Sequence, residues 1–412
     1  MNDTENGEVI LVLNAGSSSI KFALFDATCS PLARTPLWRG KVDGITGPNP
    51  VVSENGGDDQ PLTLDENHPY HDALGYIRER LRTQLVGRSI RAIAHRVVHG
   101  GTKYSKPVLI DTQVLADLKS YIPLAPLHQP FALESIEILL QTRPDLPQVV
   151  CFDTAFHQTL PDVEKILPLP WSAWENGLRR YGFHGLSYCY QSIALAERYG
   201  DQARGRTLVA HLGSGASLCG MRDLKSVATT MGFSALDGLM MGSRCGAMDP
   251  GAVIFLMEIW KLSLERVSHI LYHESGLLGI SGISSDPREL LKVETTEPRA
   301  AMALALYLRR FIHEAGALVA ALGGLDMLVF TAGIGEHNAA IRSRMCAGLQ
   351  YLGVELNETA NQANASVIST PASRVKVVVE PTNEEWVTAL DALRLTEPAN
   401  HREGVERLTG YR

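Results

Sequence analysis

Four charged or titratable side chains stand where packing alone explains them poorly: Arg96, Asp153, His184 and Arg244. Arg96 lies inside the apolar run 90–98, IRAIAHRVV, which reads as a strand that stops at His99-Gly100-Gly101. An arginine in a buried strand needs an acidic partner or a cleft to face. A solvated head on an edge strand is the commoner case; the abrupt glycine stop favours the cleft. Asp153 closes a second apolar run, QVVCFD at 148–153, at the carboxyl end where α/β folds gather their sites. A turn or helix-capping aspartate accounts for it equally well. His184 falls in RRYGFHGLS, 179–187, just before a predicted helix over 188–199. A lone histidine is usually a packed surface group, but its flanking glycines and the nearby Arg179 and Arg180 fit an anion site. Arg244 sits in a glycine-rich loop, GFSALDGLMMGSRCGAMDPG at 232–251. The methionines there read as gap fillers; the arginine is harder to explain as packing. The formal net charge is -7, so an anionic substrate must be met by local arginines against the average field.

The elements that would position these groups centre on residues 9–26, VILVLNAGSSSIKFALFD. Two apolar runs flank a small-residue tip of hydroxyls and open amides, with Lys21 just beyond it. This predicts a β-hairpin whose tip can hold an anion such as phosphate. Residues 208–221, LVAHLGSGASLCGM, repeat the pattern of apolar run, Gly-Ser tip and second apolar run. The pair suggests a duplicated domain with two tips facing across a cleft; two ordinary turns are the plainer account.

A third strand, 327–331, ends in Ala-Gly-Ile-Gly-Glu-His-Asn, where Gly333 and Gly335 allow the close backbone approach a nucleotide needs. This is no full Rossmann fingerprint, and the chain has no P-loop. A strand at 375–379 meets Pro-Thr-Asn-Glu-Glu. Thr382 and Glu385 fit a capping box opening a helix from Trp386, which leaves Glu384 as a spare carboxylate able to hold Mg²⁺.

Helices are expected at 71–85, 131–142, 252–260, 288–293 and 298–322, and an extended connector at the proline-rich 121–130. At 412 residues the chain is long enough for two domains. Its charge gives no reason to bind nucleic acid or anionic membrane. The start MNDTENGEV lacks a secretory signal, and 315–325 is too short to span a bilayer. The six cysteines form no C-x-x-C pair, which points to reduced thiols in a cytoplasm.

Two Gly-Ser hairpins, a later strand with a G-x-G turn and a terminal helix suggest the duplicated ribonuclease-H-like fold of the actin, Hsp70 and sugar kinase group: an α/β chain of two domains around a central cleft. The chain more closely resembles the acetate kinase family. The motifs are LNAGSSSIK (13–21), AHRVVHGG (94–101), PLAPLHQP (123–130), FDTAFHQTLP (152–161), YGFHGLSY (181–188), HLGSGAS (211–217), GLMMGSR (238–244), SGISSD (281–286), TAGIGEHN (331–338) and PTNEE (381–385). The resemblance implies reversible, Mg²⁺-dependent phosphoryl transfer between ATP and acetate, giving acetyl phosphate and ADP, with Mn²⁺ as an alternative ion, in a homodimer.

By position it assigns Asn14 and Glu384 to the metal, Arg96 to the substrate, and Val98, Leu127 and Phe183 to the surroundings of its methyl group. Asp153 takes the position of the proton acceptor or donor, and His184 and Arg244 those of transition-state stabilisers. Acetate is already a carboxylate nucleophile, so Asp153 reads better as an organiser of the metal or of an arginine than as a base. Nucleotide contacts fall to Lys21, to His211, Leu212, Gly213, Ser214 and Gly215, to Asp286, Pro287 and Arg288, and to Gly333, Ile334, Gly335, Glu336 and His337. The expected domains are 1–153 completed by a helix over about 386–412, and a nucleotide-binding, dimer-forming domain over 154–385. Three positions depart from the family pattern: Ser214 for asparagine, Ala235 for proline and Ala247 for an acid. Val98 keeps the acyl pocket narrow, while Ala235 leaves propionate open. The competing readings are a propionate or butyrate kinase on the same fold, and a non-catalytic ATP-binding, actin-like protein.

Overall fold

The computed structural model describes residues 7–16, 18–126 and 128–397. Ser17 of the first tip and Leu127 lie outside the described residues, as does the end of the expected terminal helix. The chain divides into two compact units. One holds the residues up to Ala155 together with those from Asn383; the other is Phe156–Thr382.

The first unit is built on an eight-stranded sheet in the order β5-β4-β3-β2-β1-β6-β8-β7. Its strands are β1 (Glu8–Ala15), β2 (Ser19–Asp26), β3 (Trp38–Asp43), β4 (Val51–Glu54), β5 (Gln60–Pro61), β6 (Ser89–Val97), β7 (Val108–Leu109) and β8 (Gln148–Phe152). β1 and β2 form the hairpin, with Asn14 opposite Lys21. β1, β6 and β8 run parallel. Their residues are buried almost without interruption, as expected for strands covered on both faces. Val9, Leu11 and Leu13 pack with Tyr70, Ala73, Ile77 and Leu81 of the helix Pro69–Leu85. A second helix, Glu384–Thr396, packs on β1, β6 and β8.

The second unit has five strands: β9 (Arg206–Leu212), β10 (Ala216–Arg222), β11 (Lys225–Thr229), β12 (Met327–Thr331) and β13 (Lys376–Val379), in the order β11-β10-β9-β12-β13. β9 and β10 are an antiparallel hairpin, and β9, β12 and β13 run parallel. Set beside β3-β2-β1-β6-β8, this is the same order and the same sense strand for strand. The chain therefore carries the duplicated ribonuclease-H-like fold. The helix Pro298–Leu322 ends on Gly323 at φ +74, a left-handed cap that only glycine adopts cheaply.

Several local expectations differ from the structure. Residues 121–130 are not an extended connector: Ile122–Leu124 is a 3₁₀ turn, and the following helix starts at Gln129, with Pro130 in its first turn, where a missing N–H costs nothing. The capping box at Thr382 and Glu385 does not form. Asn383 is the cap, its Oδ1 accepting from the Trp386 amide at 3.0 Å, so the helix opens at Glu384. Asn383 is favoured because its own Nδ2 donates to Arg34 O and the Trp386 indole N–H donates to Leu32 O, fixing the register against the 32–34 loop. Ala332–His337, read as a turn, is a short helix that follows β12 directly.

Candidate active site

In the first unit, the register places Asn14, Arg96 and Asp153 at the carboxyl ends of three adjacent parallel strands. Arg96 donates from Nε at 3.0 Å, and also from Nη2, to the two oxygens of Asp153, a bidentate pair. Its Nη1 donates to Asn14 Oδ1 at 3.1 Å. Glu384, the first residue of its helix, brings Oε2 to 3.9 Å from Arg96 Nε. Burial works against the Arg96 charge, but Asp153 and Glu384 outweigh it and hold its pKa above the ordinary value. Burial pushes the Glu384 carboxyl up to about 7; Asp153 and Glu385 push the same way, and Arg96 and Lys21 pull back. Two acids flanking one arginine leave local negative charge that a divalent cation would neutralise. No group of three or more His, Cys, Asp or Glu side chains able to hold a metal occurs among the described residues. Asn14 and Glu384 nevertheless fit Mg²⁺, which takes one or two carboxylates and completes its shell with water and phosphate oxygens.

In the second unit, His184 and Arg244 converge on the tip between β9 and β10. A Cβ added to Gly215 would lie 3.2 Å from His184 Nε2 and 3.5 Å from Arg244 Nη1. His184 is the N-cap of the helix Gly185–Tyr199, at φ +57, and its Nδ1 pairs with Ser217 Oγ at 2.8 Å. Its ring stacks on His211 with centroids 4.1 Å apart. The backbone behind Arg244 is clamped: Ser275 N donates to Ser243 O at 2.9 Å and Leu277 N to Met241 O at 3.0 Å. A Cβ on Gly276 would meet Met241 O at 2.1 Å, so only glycine permits this crossing. Arg244 Nη1 donates to Ala235 O at 3.2 Å, and no carboxylate pairs with it among the described residues. Burial lowers its pKa, so this guanidinium is poorly compensated within the protein. Arg179 and Arg180 do not add to an anion site. Arg179 lies over the Trp174 ring at 3.6 Å, and Arg180 Nη1 is spent on the carbonyls of Thr229, Thr230 and Met231.

Beside this tip is a cavity of about 390 Å³ within the second unit. Of the residues expected at a nucleotide it is lined by Gly213, Ser214, Asp286, Pro287, Arg288, Gly333, Ile334 and His337. Asp286 grips Arg288 through Nε and Nη2, which fixes the guanidinium plane. His211, Leu212, Gly215, Gly335 and Glu336 do not line it: Leu212 is fully buried, and Gly335 packs against backbone of β12 and β9. Gly242, Ser243, Leu277, Ser285, Tyr307 and Asn338 line it as well. Gly242, Ser243, Ser285 and Asn338 fall inside the motifs quoted above without a role of their own, and Leu277 and Tyr307 carry no signal in the sequence. Lys21 is exposed on β2, Val98 follows β6, and Phe183 is buried with its carbonyl accepting from His157 Nε2 at 2.9 Å.

The sequence profile of the Acetokinase family matches residues 9–390. The chain belongs to that family. An acetate kinase of Rhodopseudomonas palustris is 46% identical over 396 residues, spanning 95% of this chain and 99% of that protein. A solved acetate kinase from Porphyromonas gingivalis superposes with a TM-score of 0.85 at 36% identity, covering 95% of this chain and 100% of that one. A propionate kinase from Francisella tularensis gives 0.86 at 36% identity, over 93% and 98% of the two chains.

Proposed function

We propose that the protein catalyses reversible phosphoryl transfer between ATP and acetate, forming acetyl phosphate and ADP by direct in-line attack. The observation that carries this reading is the convergence of Arg244 and His184 on Gly215, beside a cavity large enough for a nucleotide. Phosphoryl transfer through a loose transition state asks the protein mainly for charge and positioning. Arg244, with no acidic partner, is suited to take up charge on the transferring oxygens, and His184, oriented by Ser217, to share it. Arg96, held in plane by Asp153, is suited to orient the acetate carboxylate. Asp153 is thereby an organiser rather than a base, because acetate at neutral pH already carries the attacking electron pair. Asn14 and Glu384 would hold Mg²⁺, or Mn²⁺ in its place; bound there, the ion supplies neutralisation of phosphate charge. Lys21, across the hairpin from Asn14, is suited to the phosphates.

Propionate is the second substrate to be weighed. Ala235 stands where the family usually has proline, and one methylene separates substrates by only about 1–3 kcal/mol. We further propose a cytoplasmic homodimer. Among the described residues no helix is long and apolar enough to cross a membrane, and the six cysteines form no disulfide. The helix Pro250–Glu258 is strongly apolar yet has no fully buried residue, so among the described residues much of its apolar face is uncovered.

Trapping acyl phosphate with hydroxylamine in the presence of ATP, Mg²⁺ and acetate, propionate or butyrate tests the reaction and ranks the acids. Trapped product with acetate at the highest kcat/KM is expected. A protein that binds ATP and yields no hydroxamate with any of the three would be the non-catalytic nucleotide binder instead.

A further inference from the structure

The short helix Ala332–His337 carries Gly333, Ile334 and His337 to the cavity wall, yet Glu336, between them, is not part of that wall. Its Oε1 turns to the backbone, while Oε2 lies 3.8 Å from His337 Nε2. Glu336 Oε1 accepts from Ala332 N at 2.8 Å and from Thr382 N at 3.1 Å, so one oxygen joins the start of the nucleotide segment to the chain leaving β13. Ala332 needs such a hold. It sits at φ +64, a left-handed conformation that a residue with a Cβ keeps only when its surroundings impose it.

Arg342 grips the same segment from its far end. It is fully buried, and Nη1 donates to Gly335 O and to Glu336 O, each at 2.9 Å. Nε donates to Asn361 Oδ1 at 2.8 Å, and Nη2 to Asn361 O at 2.7 Å and Asn364 Oδ1 at 2.6 Å. All five N–H donors are thus satisfied by neutral oxygens. A buried arginine without a carboxylate is costly, and burial does lower its pKa. The carbonyls at the carboxyl end of a helical turn are the neutral groups best placed to offset a positive charge.

We infer that Glu336 and Arg342 are positioning residues for nucleotide binding, holding the 332–338 segment in its bound shape from its two ends, and that Glu336 does not touch the nucleotide. This inference rests on the nucleotide-binding reading of the cavity. A conformation held in advance removes an ordering cost from the ligand, so loosening it weakens binding of ATP and ADP without touching the chemistry. The specificity for the acyl acceptor is untouched as well.

The test compares Glu336→Ala, Glu336→Gln and Arg342→Lys with the parent protein. ADP affinity is read by calorimetry, and KM for ATP, KM for acetate and kcat by the hydroxamate assay. Glu336→Ala and Arg342→Lys are expected to weaken ADP roughly 10- to 100-fold and to raise the ATP KM in step. The acetate KM and the kcat at saturating ATP stay within about 3-fold. Glu336→Gln keeps an acceptor oxygen and recovers most of the affinity lost in Glu336→Ala. An unchanged ADP affinity in Glu336→Ala overturns the inference, and so does a Gln variant as weak as the Ala variant, since charge on the ligand would then be the operative effect. Arg342→Lys has a folding risk that the Glu336 pair does not share. Failure of the parent protein to bind ADP at all would instead remove the nucleotide reading itself.

Discussion

Arg244 carries its charge against a backbone carbonyl, and Arg96 carries its own against a carboxylate; the two arginines are prepared for different work. The first has charge to lend. Replacing Arg244 by Ala is expected to lower kcat by about 10³-fold or more, while ADP affinity measured by calorimetry stays within about 3-fold; a kcat near normal would remove Arg244 from the reaction. The second is held in place. Asp153→Asn keeps the shape but loses one of two charge-assisted bonds to Arg96, and is expected to raise the acetate KM more than the ATP KM, about 10-fold or more against less than 3-fold, in initial-rate measurements. Both arginines stood out in the sequence because a charge in an apolar strand or a glycine loop conflicts with its neighbours. Tyr307 gave no such signal. It reads as one more apolar position on a long helix, and only the folded chain places it on the cavity wall, its hydroxyl without a hydrogen-bond partner among the described residues. Glu336 is the opposite case: it lies inside a nucleotide motif, and Gly333, Ile334 and His337 of that motif line the cavity while its Oε1 accepts from backbone amides.

The elements were legible where apolar pattern dominates, and less so where two local signals competed. The helix over 298–322 has its proline at the start and its glycine at the stop, and the structure gives the same limits. At 381–386 the sequence offers Thr382 and Asn383 as adjacent caps. Local rules cannot separate them; the contacts of Asn383 and Trp386 to residues 32–34 do. The segment after β12 stores a cost that can be measured. Ala332→Gly is expected to leave thermal stability unchanged or raised by up to about 1 kcal/mol, and Ala332→Val to lower it by about 2 kcal/mol or more, because φ +64 suits only the residue without a Cβ.

The helix Glu384–Thr396 stores another cost. Burial pushes Asp391 up to about 6 from 3.8, with Arg394 and Cys151 opposing. Its folded pKa lies above its unfolded one. The group therefore contributes fully below about pH 4, and its contribution is lost as pH rises to about 6, at a slope of at most about 1.4 kcal/mol per pH unit. Asp391→Asn is expected to gain stability relative to the parent over that window and to hold the gain above it, in urea titrations at pH 4, 5, 6 and 7.5. A difference that does not vary with pH would rule out Asp391 as its source.

At the scale of the molecule, the repeated strand order was foreshadowed by two short tips some 200 residues apart, but the repeat in sequence is weak because only turn residues recur. The strands keep their order through burial, which many apolar residues satisfy equally. The apolar surface at 254–264 was not legible as a surface at all, since a run such as AVIFLMEIW reads as core. Ile254, Ile259, Trp260 and Leu264 are each more than half exposed. Phe255→Glu with Trp260→Glu is expected to convert the proposed homodimer to monomer in sedimentation velocity at micromolar concentration. A parent protein that sediments as a monomer would instead remove the dimer.

The return of the chain to its first unit at Asn383 has a consequence for how the protein is made. A ribosome releases residues 1–155 long before it reaches the helix Glu384–Thr396, the piece that closes over β1, β6 and β8 and brings Glu384 to Arg96. The second unit, contiguous from Phe156 to Thr382, can complete itself during synthesis; the first cannot. For the time it takes to make more than two hundred residues, β1, β6 and β8 wait without the helix that packs on them. Slower synthesis of residues 156–383 is then expected to lengthen the time for which these strands stand uncovered.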